Sequence, residues 1–234
     1  MALGIIGAMD EEIAILQNLM DIDETREIGG MIFYLGRLEG KSIVLVKCGI
    51  GKVNAALCAH ILINKFSVKK IIFTGVAGAA DPGLDIGDVI ISSDSMYHDV
   101  NVGAFGYQRG QIPRLPVRAF PAAPELIAVA KKAAEEMGTS RVFIGRILTG
   151  DQFIANKSEA LRLGAELDGI CVEMEGAGVG QTCYYYKIPY VLIRCISDKA
   201  DGTAPNDFRC FCQQAADTAA KIICSILRHS LNGM

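Results

Sequence analysis

Short apolar runs of strand length alternate with amphipathic stretches of helix length along nearly the whole chain, and this alternation limits the fold more than any other feature. The runs predict strands near 3–7, 31–38, 42–48, 70–75, 88–93, 142–148, 170–174 and 190–197. Helical patterns fall near 10–20, 52–66, 124–137, 158–164, 175–186 and 207–230. Glu39-Gly40 reads as a tight hairpin turn between the second and third strands. The remaining alternation implies βαβ crossovers, and so an α/β fold with a mixed, mostly parallel sheet covered by helices on both faces. No shift in composition and no repeat marks a boundary, so residues 1–234 are expected to form a single domain.

Hydrophobic residues make up 51% of the chain and charged residues 21%, as in a compact protein with a sizeable core. A net charge of −3 gives no footing for a nucleic-acid or membrane-surface partner. No run approaches the ~20 apolar residues that span a bilayer. The opening Leu3-Gly4-Ile5-Ile6-Gly7 lacks a basic flank and soon meets acids, so it reads as a first strand rather than a signal peptide. The eight cysteines (48, 58, 171, 183, 195, 210, 212 and 224) form no Cys-x-x-Cys pair and sit mostly among Val, Ile and Ala. They read as reduced core residues of a cytoplasmic protein, with no metal site among them.

Chemistry is carried by acids at strand ends. Ligands of open α/β sheets bind outside the carboxyl ends of the strands. Three such ends carry carboxylates: Asp10-Glu11-Glu12, Glu173-Met174-Glu175, and Asp198 closing Arg194-Cys195-Ile196-Ser197-Asp198. With no metal-ligand cluster beside them, they suggest acid/base work on a polar organic substrate. Each has a plainer reading. Glu11 and Glu12 could serve the positive end of the first helix. Arg194 could pair with one of the acids, which would make that pair structural.

Other motifs are weaker. In Gly49-Ile50-Gly51-Lys52, Val46 stands where a P-loop needs its first glycine and Val53 follows the lysine. A tight strand-to-helix turn, possible at the edge of a site, is the better reading. The turn Thr74-Gly75-Val76-Ala77-Gly78 lets backbone approach a ligand closely. The stretch 94–123, with His98-Asp99 and Gly103-Ala104-Phe105-Gly106-Tyr107, is a long irregular loop of the kind that carries function. His98 could anchor that loop or touch a ligand, while His60 and His229 lie in amphipathic helices and Tyr184-Tyr185-Tyr186 at a helix end.

Taken in order, GIIGAMDEE (4–12), GIGKVNAA (49–56), TGVAGA (74–79), AFGYQRGQIP (104–113), GDQFI (150–154), VEMEG (172–176) and RCISD (194–198) resemble the 5'-methylthioadenosine/S-adenosylhomocysteine nucleosidases of the nucleoside phosphorylase-like superfamily. The resemblance implies a three-layer α/β/α sandwich around a mixed, partly barrel-like sheet, a homodimer, and hydrolysis of the N-glycosidic bond of an adenine nucleoside without any cofactor. By motif position it makes Glu12 the base that activates water and Asp198 the acid toward adenine N7, with Ser197 orienting it. Phe153 would stack on the purine and the Ile154 backbone would read its edge. Glu175 would bind the ribose hydroxyls with Met174 against the sugar and Glu173 beside it. Met9 and Ile50 would help enclose the substrate, Phe208 would be among the substrate-binding residues, and Arg194 would lie near the water. Val102, Phe105 and Pro113 would close the alkylthio pocket of the neighbouring subunit. One position departs from the family pattern: Val76 stands where serine is usual, which removes a hydroxyl near the water or phosphate position. The remaining alternatives are a related nucleosidase for 6-amino-6-deoxyfutalosine or 5'-deoxyadenosine, and a non-catalytic nucleoside-binding module.

Overall fold

The computed structural model describes residues 2–138, 141–199 and 204–229, with side chains from Cys210 to Arg228 in the last segment. Its strands are β1 (Leu3–Gly7), β2 (Asp21–Ile28), β3 (Met31–Leu38), β4 (Lys41–Lys47), β5 (Lys70–Ala79), β6 (Val89–Tyr97), β7 (Phe120–Pro121), β8 (Val142–Thr149), β9 (Cys171–Glu173) and β10 (Tyr190–Asp198). The helices are α1 (Asp10–Leu19), α2 (Lys52–Phe66), α3 (Pro124–Met137), α4 (Lys157–Leu167), α5 (Gly176–Tyr186) and α6 (Ala204–His229).

All the strands belong to one sheet, whose geometry turns on β5. That strand pairs with β1, β9 and β10, so the path β5-β10-β6-β8-β9 returns to its start as a five-stranded barrel. From the same strand, β1, β4, β3 and β2 continue as an open wing. Helices α1, α3 and α6 pack together on one face and α2 with α5 on the other, which gives the expected three layers. Every residue of β10 is buried, and β5 is buried from Ile71 onward. Strands covered on both faces read as continuous apolar runs, which is why both were legible. Each fully buried Ile or Leu in them contributes roughly 1.5–3 kcal/mol.

The helices are read correctly to within a few residues because their apolar spacing is clear. In α2 the buried stripe is Ala55, Cys58, Ala59 and Leu62, the i, i+3, i+4, i+7 pattern of a core-facing helix. The hairpin at Glu39-Gly40 forms, with both residues at positive φ.

The expected sheet needs correction in three places. It is evenly mixed rather than mostly parallel, since β2-β3-β4 is a meander and the barrel closes through the antiparallel pairs β5–β9 and β6–β10. A strand at Asp21–Ile28 was missed because this edge strand buries nothing; its residues are exposed up to Ile28. Strands β5 and β6 run on to Ala79 and Tyr97, into segments that read as a glycine turn and a loop. All eight cysteines are free and seven are buried; Cys210 is exposed, unlike the core position expected of it.

Candidate active site

A cavity of about 320 Å³ opens where the ends of β1, β5, β9 and β10 converge. Its walls include Met9, Glu12, Ile50, Val76, Phe153, Glu173, Met174, Glu175, Ser197 and Asp198. The structure therefore brings most of the sequence-selected residues together. Ile154 lies in a small adjoining recess with Phe153, Met174 and Asp198. Arg194 is fully buried behind the wall. Val102, Phe105 and Pro113 do not line the cavity of their own chain, and Phe105 is 81% exposed. Phe208 lies on α6 with its side chain outside the described ones.

Glu12 is more than a helix-end acid. It is buried, and its Oε2 accepts the N–H groups of Ala8 (2.5 Å) and Met9 (3.1 Å). Its Oε1 accepts the Val76 N–H at 3.1 Å, across from β1 to β5. Burial pushes its carboxyl above the ordinary range, against the pull of Arg194 and those three amides. A carboxyl poised in this way is a better proton acceptor near neutral pH than a solvated one. Gly75 makes the arrangement possible: a Cβ there would lie 2.4 Å from Glu12 Oε1 and 3.2 Å from Arg194 Nη1. The glycine turn thus admits the acid at Gly75, while Val76, Ala77 and Gly78 line the cavity.

The pairing of Arg194 with an acid, raised above as the plainer alternative, is present. Its Nη2 donates to Glu173 Oε2 at 2.7 Å, and its guanidinium lies 4.2 Å from the Phe73 ring centroid. Glu173 is saturated from within the protein. Its oxygens also accept from Thr149 Oγ1 (2.5 Å), Glu175 N (3.2 Å) and Gly176 N (2.8 Å to Oε2). It acts as a cap for α5 and an anchor for Arg194, which suits a framing role better than ligand contact. Thr149, which also accepts the Ala177 N–H at 2.8 Å, gave no signal in the sequence because it simply ends an apolar run.

Glu175 is the contrasting acid. The Gly51 N–H donates to its Oε1 at 2.8 Å. Burial, then the neighbouring Glu173 charge, raise its carboxyl to about 8. Gly51 sits at φ +102°, a conformation that favours glycine, where the tight turn presents its amide to the cavity. On the far wall the Ser197 hydroxyl donates to Asp198 Oδ2 at 3.0 Å, and Asp198 is 2% exposed. Gly78 of β5 lies directly against it, since a Cβ there would be 3.0 Å from Asp198 Oδ1. The base-side contact at Gly75 and the acid-side contact at Gly78 are three residues apart on one strand, roughly 10 Å at strand rise. That spacing leaves room for a ligand bond between two carboxyl groups. Val76 lines the cavity with its isopropyl group while its amide serves Glu12.

A barrel-and-wing sheet with carboxylates at its converging strand ends defines a class. The family model described as "Phosphorylase superfamily" matches residues 2–228, so the chain belongs to that superfamily. A 5'-methylthioadenosine/S-adenosylhomocysteine nucleosidase of Psychromonas ingrahamii is 42% identical, over 98% of this chain and 99% of its own. The crystal structure of a nucleosidase of that name from Colwellia psychrerythraea, in complex with adenine, has a TM-score of 0.92 at 40% identity, covering 97% of this chain and 94% of that one. Futalosine hydrolase of Helicobacter pylori superimposes with a TM-score of 0.92 at 35% identity, covering 97% of both chains. Within the superfamily, the chain belongs to the family of 5'-methylthioadenosine/S-adenosylhomocysteine nucleosidases.

Proposed function

We propose that the chain, acting as one nucleosidase domain, hydrolyses the N-glycosidic bond of 5'-methylthioadenosine and S-adenosylhomocysteine. The products are adenine with 5-methylthioribose or S-ribosylhomocysteine. The observation that carries the reading is the placement of two buried carboxyl groups along β5, Glu12 at Gly75–Val76 and Asp198 at Gly78, with Glu175 in the same cavity held by the Gly51 amide.

Cleaving such a bond builds positive charge on the sugar and negative charge on the departing base. Asp198, oriented by Ser197, gives a proton to adenine N7. Glu12, held by three amides, takes a proton from the water that attacks C1'. Each positioned transfer is worth ~10²–10⁴-fold. Glu175 hydrogen-bonds the ribose hydroxyls, and positive charge building on the ring favours the ionised form of a carboxyl that burial otherwise holds up at about 8. Phe153 stacks on the purine, the Ile154 backbone reads its N1/N6 edge, and Met174 packs on the sugar. Met9 and Ile50 help enclose the substrate, and Val102, Phe105 and Pro113 of a second copy close the alkylthio pocket in a homodimer. The half-exposed Ile50 and the exposed Phe105 are consistent with such a partner. No helix among the described residues is long and apolar enough to cross a membrane, which accords with a cytoplasmic enzyme of methionine salvage.

Water rather than phosphate is the nucleophile on grounds of charge. The described cavity lining offers a phosphate dianion no Lys or Arg, and Arg194 behind it is already committed to Glu173. An uncompensated dianion in a poorly solvated cavity is costly. Val76 also offers no hydroxyl to such an anion. The likeness to futalosine hydrolase keeps 6-amino-6-deoxyfutalosine as a second reading, because only the 5' pocket separates the substrates. Comparing kcat/KM for 5'-methylthioadenosine, S-adenosylhomocysteine and 6-amino-6-deoxyfutalosine tests the choice. The proposal expects the first two to dominate, and a preference for the third would replace it.

A further inference from the structure

Two motifs remain outside the site as described: Lys52, which closes Gly49-Ile50-Gly51-Lys52, and Asp99, beside His98. Neither lines the cavity. The fold nevertheless joins them. The Lys52 ammonium is hydrogen-bonded to Asp99 Oδ2 and lies 3.5 Å from Asp151 Oδ2. The Lys52 N–H donates to Asp151 Oδ1 at 2.9 Å, and the Asp151 N–H donates to the same Asp99 Oδ2 at 3.1 Å. Three segments are thereby closed into a ring: the start of α2, the start of the 98–113 loop, and the loop after β8.

Each of these segments leads to a cavity wall. Gly51, next to Lys52, supplies the amide that holds Glu175. Asp151 stands two residues before Phe153 and three before Ile154. The ring is rigidly seated. Gly150 packs so closely on the buried His98 that a Cβ there would lie 2.4 Å from the imidazole, and Gly178 of α5 allows the Lys52 carbonyl to within 2.6 Å of its own Cβ position. The Lys52 side chain is only 21% exposed and Asp99 17%, so this is no solvated surface pair. Burial pushes the Asp99 carboxyl up, yet the Lys52 ammonium and the Asp151 N–H outweigh it and hold it below its ordinary range. The other charged groups facing the ring are Arg109, whose Nε donates to the His98 carbonyl, and Glu173 beyond Thr149.

We propose that Lys52 is a positioning residue, whose ammonium, shared by Asp99 and Asp151, fixes the purine-stacking loop 150–154 relative to the Gly51 amide that holds Glu175. The proposal rests on the nucleosidase reading above. Without the ammonium, Asp99 keeps a single N–H donor for a half-buried charge, and the loop carrying Phe153 loses its register with the ribose wall. Lys52 also borders an apolar groove lined by Leu57, Tyr97, Val100 and Ile112, so the clamp lies where the 98–113 loop departs. Loss of the clamp weakens substrate capture more than chemistry, because Glu12 and Asp198 are held by other contacts.

The test uses Lys52→Met, Lys52→Arg, Asp151→Asn and the Met/Asn double variant, with KM and kcat for 5'-methylthioadenosine and calorimetric binding of adenine. Lys52→Met is expected to raise KM and the adenine Kd about tenfold, the factor equal to ~1.4 kcal/mol, with kcat within about threefold of wild type. Asp151→Asn should do the same, the double variant should be no worse than the poorer single one, and Lys52→Arg should recover most of the loss. An unchanged KM and adenine Kd, a fall confined to kcat, or effects that multiply in the double variant would overturn the clamp. Should Lys52→Met fail to fold, Asp151→Asn, altered on a half-exposed side chain, decides alone by the same criteria. Adenine binding reads the clamp even if wild type shows no turnover, an outcome that would count only against the nucleosidase reading.

Discussion

Gly75→Ala is the smallest change that should disable the proposed base. The added methyl carbon would lie 2.4 Å from Glu12 Oε1 and 2.8 Å from its Cδ, closer than real Cβ atoms come. The backbone has little room to yield, since β5 is paired to β1 as far as Phe73 and to β10 through Gly75, which lies opposite Arg194. The carboxyl must therefore retreat by roughly 1 Å to restore van der Waals contact. That retreat removes the 3.1 Å bond from the Val76 N–H. Overpacking costs about 1–3 kcal/mol and a lost hydrogen bond to a charged group about 1.5–3 kcal/mol. Allowing for partial relaxation, a net loss of about 2–3 kcal/mol should lower Tm by roughly 4–12 °C for a chain of this size. Misplacing the base by up to ~1 Å should lower kcat by up to ~10²-fold. Adenine release at saturating 5'-methylthioadenosine and a thermal melt of the same preparation give both numbers. A variant with kcat within about threefold of wild type and an unmoved Tm would refute the argument that Gly75 exists to admit Glu12.

Asp198→Asn should retain the wild-type Tm within a few degrees and still bind adenine, while kcat falls ~10²–10⁴-fold because the amide cannot protonate N7; steady-state kinetics would show otherwise if turnover were near normal. Glu175→Gln should stabilise the protein in a pH-dependent way. A carboxyl raised from 4.5 to about 8 gives stability that is fully present below pH 4.5 and is lost as pH rises toward 8. The difference in Tm between variant and wild type should accordingly grow from pH 5 to pH 8, and a constant difference would contradict the assigned cause. Phe105→Ala should raise KM for 5'-methylthioadenosine several-fold while leaving adenine binding unchanged, if this exposed ring closes the 5' pocket of a second copy; equal weakening of both ligands would argue against that placement.

The site was legible in the sequence where physics leaves a linear trace. Buried strands such as β1, β5 and β10 are dominated by apolar residues, so an acid at their ends stands out. Glu173, Glu175 and Asp198 stand out that way, whereas Glu12, which taken alone reads as a helix-end acid, is singled out by the resemblance. Pairings across the fold leave no such trace. The bond from Val76 N–H to Glu12, the Thr149–Glu173–Arg194 chain and the ring around Lys52 join residues 21 to 99 positions apart. Edge strand β2 was invisible for the opposite reason, since Asp-Ile-Asp-Glu-Thr-Arg-Glu-Ile holds its place by backbone pairing to β3 and buries almost nothing. The barrel was equally hidden, because closure depends on β5 pairing with β9 and β10, not on any local pattern.

The central claim is that two opposed carboxyl groups run a hydrolysis. The most direct measurement is the product analysis of purified protein with 5'-methylthioadenosine, with and without inorganic phosphate. Adenine and free 5-methylthioribose should appear in equal amounts, at a rate that phosphate does not raise. Adenine release that requires phosphate and yields a sugar 1-phosphate would contradict it.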